Sequence, residues 1–130
     1  MEVTEQKYGY SRVICCAFDE ALQRTKETLQ QQGFNVQTEI DMSTALHEKL
    51  GVNVPRQVIL GACNPQLAYQ ALQVEPEIGL LLPCNVTVRQ SGPIVEASVI
   101  DAEKLMQFVG KPELKPLAVE AKRRLQAVVS

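Results

Sequence analysis

Two alternating runs, LPCNVTVRQ and IVEASVI, stand on either side of Ser91-Gly92-Pro93. Successive side chains of a strand point to opposite faces, so Leu82, Cys84, Val86 and Val88 share one side. Pro83, Asn85, Thr87 and Arg89 share the other. Such a pattern suits an antiparallel sheet with one buried and one polar face. A turn of about three residues makes the pair a hairpin. The apolar set is expected to face helices and the polar set to face away. Pro83 cannot donate to the ladder, which predicts an edge, a bulge or a local opening there.

The rest of the chain supplies the helices. KYGYSRVICC is rich in aromatic and β-branched residues and reads as a first strand. Phe18, Leu22, Thr25 and Leu29 then fall at helical spacing, with Asp19 and Glu20 at the start and Gly33 past the end. FNVQTEID alternates again, placing Phe34, Val36, Thr38 and Ile40 opposite Asn35, Gln37, Glu39 and Asp41. STALHEKLG makes a short helix with Ser43 as its expected cap, and RQVILGAC a third strand. Asn64-Pro65 is a strong helix start, because Asn accepts from orphan amides and Pro has none to orphan. After the hairpin, Asp101 caps a helix running through Val109, and a last helix starts at Pro116. The order is β-α-β-(short α)-β-α-β-β-α-α, an α+β domain of two layers with helices on one face of a mostly antiparallel, curved, five-stranded sheet. The ferredoxin-like arrangement is the alternative. No repeat or linker divides the 130 residues, which read as one domain over 1–130.

Charge excludes some partners. The net charge is −2, with acids and bases mixed, so no basic stripe offers itself to nucleic acid. No apolar run is long enough to span a bilayer, and MEVTEQKYGY carries acids where a signal peptide would carry Lys or Arg. These features predict a cytoplasmic protein without membrane or nucleic-acid partners. In a reducing compartment Cys15, Cys16, Cys63 and Cys84 are expected as free thiols. No CxxC occurs, and the single histidine, His47, makes no metal spacing. No cofactor is expected.

Two Cys-Asn pairs stand out, Cys63-Asn64 in LGACNP and Cys84-Asn85 in LLPCNV. Register gives Cys84 the role of a small core hydrophobe. Cys63 sits at a strand end just before a helix, where amides and dipole lower a thiol pKa; it is the candidate nucleophile. Glu39 and Asp41, with Asn35, Gln37, Asn85, Thr87, Arg89, Glu96 and Ser98, are expected on the polar sheet face, where carboxylates would accept from a ligand. Paired carboxylates alone do not make acid–base chemistry. Tyr8 and Tyr10 share a strand face, suited to a core edge or a subunit contact.

GFNVQTEIDMSTALHEKLGV, RQVILGACNPQLAYQAL and EPEIGLLLPCNVTV together resemble the bacterial and archaeal domain-of-unknown-function family numbered 302, from about Tyr10 to the last helix. The resemblance implies a TATA-binding-protein-like fold, β-α-β4-α at core, and a homodimer, with no established activity or cofactor. Its signature segments fall here on Glu39 to Asp41, Gly61 to Pro65 and Pro83 to Asn85. A Lys usually stands in that family where this chain has His47, which argues against a role for the histidine. The leading expectation is a non-enzymatic domain binding a small polar molecule or a partner protein at its polar sheet face and strand ends. Thiol chemistry at Cys63, with Cys84 resolving, is the alternative; a metal site of Cys63, Cys84 and Glu39 or Asp41 is the third.

Overall fold

In the computed structural model, which describes residues 3–130, the chain runs β1 (Thr4–Glu5), β2 (Gly9–Ile14), α1 (Phe18–Gln31), β3 (Asn35–Asp41), α2 (Met42–Leu50), β4 (Gln57–Cys63), α3 (Pro65–Val74), β5 (Cys84–Ser91), β6 (Ile94–Ile100), α4 (Ala102–Gln107) and α5 (Lys115–Val128). Short 3₁₀ helices cover Pro76–Leu81 and Pro112–Leu114. Every strand pair is antiparallel, in the order β1-β2-β6-β5-β4-β3. The sheet is therefore six-stranded and open, not five-stranded. The extra strand, β1, pairs Thr4 and Glu5 with Ser11 and Tyr10, and two residues are too few to show a period. The fourth expected strand also starts later: Ile78 is buried inside a 3₁₀ turn, and extended backbone begins only at Cys84.

The hairpin alternation holds. Val58, Leu60 and Ala62 of β4, Val86 and Val88 of β5, and Val95, Ala97 and Val99 of β6 are buried on one side. Ala21, Leu22 and Leu29 of α1 and Leu125 and Val128 of α5 close over them as one core. Each large side chain removed from water there contributes roughly 1.5–3 kcal/mol. A separate small core joins Ala71, Ile78 and Leu114, flanked by Met106 and Leu117. Asp101, 1% exposed, links the layers. It accepts from the amides of Glu103 and Lys104 to cap α4, and pairs with Lys122 of α5 at 3.5 Å. The Tyr10 hydroxyl, then Glu103, raise the Lys122 pKa further above the usual lysine range.

β3 departs from the expected register. Asn35 and Val36 pair with Cys63 and Ala62, but Thr38 then pairs with Gly61, leaving Gln37 as a bulge. One extra residue flips everything after it to the other face. Glu39 and Asp41 now stand opposite Leu60 and Val58 on the helix side, while Thr38 and Ile40 take the open side. The expectation that Glu39 and Asp41 lie on the polar face is corrected accordingly. Ser43 is not the cap of α2 either: the Asp41 carboxylate accepts from the Thr44 amide at 3.0 Å and from the Ser43 hydroxyl.

Candidate functional site on the open sheet face

Helices α1 and α5 cover one face of the sheet, and the strands of the other build a groove of about 530 Å³, with α2 flanking its Gln57–Arg89 end. Cross-strand pairing sets its rows. Ser11 of β2, Ser98 of β6 and Thr87 of β5 make a line of hydroxyls, with Ser11 and Ser98 bonded at 2.7 Å. In the next row Glu96, Arg89 and Gln57 stand side by side, and the Arg89 guanidinium donates to Glu96 at 2.9 Å. Asn85 lies exposed on the same face, and Tyr8, 74% exposed, stands at the rim. Of the expected polar set, Asn85, Thr87, Arg89, Glu96 and Ser98 thus converge. Asn35 falls at the far edge of the open face, opposite Cys63.

The three signature segments do lie on neighbouring strands, β3, β4 and β5. Gly61 explains one of their glycines. A Cβ there would sit 2.2 Å from Thr38 Oγ1 and 2.7 Å from Pro83 Cγ. Only a residue without a side chain lets Thr38 and Pro83 close over the middle strand. Asn64 is a joint as well. Its buried side chain accepts from the Leu67 amide at 3.0 Å to cap α3, and donates to the Gly33 carbonyl at 3.1 Å to tie α3 to the end of α1.

The remaining sequence-predicted site residues do not join the groove. Glu39 pairs with Lys26 of α1 at 2.5 Å. Asp41 is held below the usual carboxylate range first by the Ser43 hydroxyl, then by the Thr44 amide. Cys84 is buried on the helix side, while Cys63, two residues after Gly61, follows the open-face register opposite Asn35. Both border an apolar cavity of about 50 Å³ between the two cores, lined by Phe34, Ala62, Leu67 and Leu117 among others. Burial pushes the Cys84 thiol up to about 11, with charge on Cys63 adding to the rise. Burial also raises the Cys63 thiol, the reverse of the expected depression. Among the described residues no three His, Cys, Asp or Glu side chains are arranged to hold a metal ion. His47 is exposed on α2.

Sequence reasoning missed Gln57 and Ser11 as groove residues; Tyr8, expected at a core edge or a subunit contact, is exposed and so not at a core edge. Gln57 was legible in principle, since QVILGAC alternates around buried Val58, Leu60 and Ala62. Ser11 is buried between neighbours and has no distinguishing pattern. Among the described residues no helix is long and apolar enough to cross a membrane.

Comparison with other proteins identifies the family and the fold. The family model described as Domain of unknown function DUF302 matches residues 10–130. A crystal structure of an uncharacterized conserved DUF302 protein from Bacillus stearothermophilus superposes with a TM-score of 0.88 at 29% identity, covering 95% of this chain and 97% of that one. No curated protein matches the chain. By the match across nearly its whole length, the chain belongs to the DUF302 family.

Proposed function

We propose that this is a non-enzymatic, ligand-binding domain whose open sheet face takes a small polar molecule. The observation that carries the reading is the convergence of Asn85, Thr87, Arg89 and Ser98 in one uncovered groove of about 530 Å³. A concave site with a few convergent polar groups is the form small-molecule sites take. The family resemblance further supports a homodimer with a TATA-binding-protein-like core. Burial works against the competing thiol reading: a nucleophilic cysteine needs a lowered pKa, and that of Cys63 is raised. The Cys/carboxylate metal reading loses its acids, since Glu39 is engaged by Lys26 and Asp41 by the start of α2.

The test is native mass spectrometry of protein purified gently from its producing cells. A reproducible small-molecule adduct is expected, lost in Asn85→Ala and kept in Glu39→Ala, with both variants folded. An adduct that survives Asn85→Ala, or that maps to Cys63, contradicts the reading. A bound polypeptide in place of a small molecule makes the face a protein-docking surface instead.

A further inference from the structure

We infer that the ligand of the open face is a zwitterion of the α-amino-acid class, with an uncharged polar side chain. This rests on the reading of the groove as a binding site and adds the chemistry it selects. Of the described residues that line the groove, only Arg89 and Glu96 are charged. They are one cation and one anion, side by side on β5 and β6 and joined by a single contact of 2.9 Å. A purely anionic ligand would satisfy Arg89 and meet repulsion from Glu96; a purely cationic one would do the reverse. A neutral polyol could hydrogen-bond to either charge, but it brings no opposite charge to Arg89 or to Glu96.

An α-amino acid carries its ammonium and carboxylate on one carbon, a separation comparable with that of the Arg89–Glu96 pair. Arg89 has five N–H donors, of which Glu96 takes one. The remaining donors fit the ligand carboxylate, and the second Glu96 oxygen accepts from the ligand ammonium. The two pairs then stand head to tail as four alternating charges. The neighbouring row sets the side chain. Thr87 and Ser98 lie next to the pair, with Asn85 beyond them, so the side chain would run over hydroxyls and an amide. Such groups favour an amide or hydroxyl side chain over an aliphatic one, whose burial there would leave them unpaired.

The experiment titrates L-glutamine into the ¹⁵N-labelled full chain and follows the backbone amides of Thr87, Arg89, Glu96 and Ser98. Two derivatives dissect the charges: N-acetyl-L-glutamine lacks the ammonium, and L-glutaminamide lacks the carboxylate. The inference predicts saturable shifts at the groove, at least tenfold weaker binding of either derivative, and at least tenfold loss in Arg89→Gln and in Glu96→Gln. Unchanged amide spectra away from the groove show that the variants fold. Equal affinity for all three compounds, or shifts outside the groove, overturns it. Glucose that binds the groove where glutamine does not overturns it too, while the broader reading of the face as a polar binding site stands. No groove shift with glutamine or glucose removes this inference, and the adduct experiment above then decides the broader reading by itself.

Discussion

The two faces of the sheet use the same strands for opposite ends. On the helix side, Val58, Leu60, Val86 and Val88 are buried to within 1% exposure, and the space left between the cores is a cavity of about 50 Å³. On the open side, residues one position along those same strands leave a groove about ten times larger that presents hydroxyl, amide and charged groups. Alternation alone makes this difference, since a side chain changes face with every step. Stability is therefore concentrated on the helix side. The cysteines fit this division, with Cys84 a core residue and Cys63 at the joint between strand and helix.

The comparison breaks most readily at Leu60. Replacing it by Ala removes a fully buried side chain and is expected to cost about 2–5 kcal/mol, read as a fall in the urea midpoint with unchanged slope. A loss comparable to a surface change would mean that the helix side is not the stabilising one.

Cys84 sharpens the same point through pH. In the folded chain its thiol ionises near 11, against about 9 when unfolded. Between those values the unfolded chain binds fewer protons, so the stabilisation is whole below about pH 9 and lost as pH rises toward 11. Across that window wild type should lose about 2–3 kcal/mol more than Cys84→Ala, measured by urea unfolding at each pH. Parallel curves for the two proteins would show that the thiol is not buried.

Gly61 is the place where the open face is sealed at its centre. Gly61→Ala should cost about 1–3 kcal/mol, because Thr38 and Pro83 must move aside. Adding Thr38→Ala should recover part of that loss in thermal unfolding. No recovery would place the conflict elsewhere. Asn64→Ala should cost about 1 kcal/mol through the lost cap of α3. The amides of α3's first turn should then exchange faster with deuterium; unchanged exchange would deny the cap. Smallest is Thr87→Ala, within about 0.5 kcal/mol of wild type, since it leaves the covered side untouched. A larger shift in the urea midpoint would make the hydroxyl row structural.

Much of this division was legible in the sequence, and the failures have physical causes. Alternation from Cys84 to Ile100 assigns both faces of the hairpin correctly, because neither strand contains an irregularity. In β3 the same reasoning misplaces Glu39 and Asp41, because the bulge at Gln37 is set by pairing with β4 and leaves no mark on the local pattern. Asn-Pro alone identifies Asn64 as a helix cap, as the structure shows. Its second bond, to Gly33, joins residues 31 positions apart and lies beyond any local signal. For the thiol of Cys63, proximity to a helix start is visible in sequence and the burial that raises its pKa is not.

The most direct measurement of the central claim maps where a natural ligand binds. Low-molecular-weight extract of the producing cells is added to ¹⁵N-labelled protein, and amide shifts are located on the fold. The account predicts shifts confined to Asn85, Thr87, Arg89, Glu96, Ser98 and their neighbours on the open face. Shifts centred on Phe34, Cys84 and Leu117 would contradict it, moving the site to the apolar cavity beneath the helices.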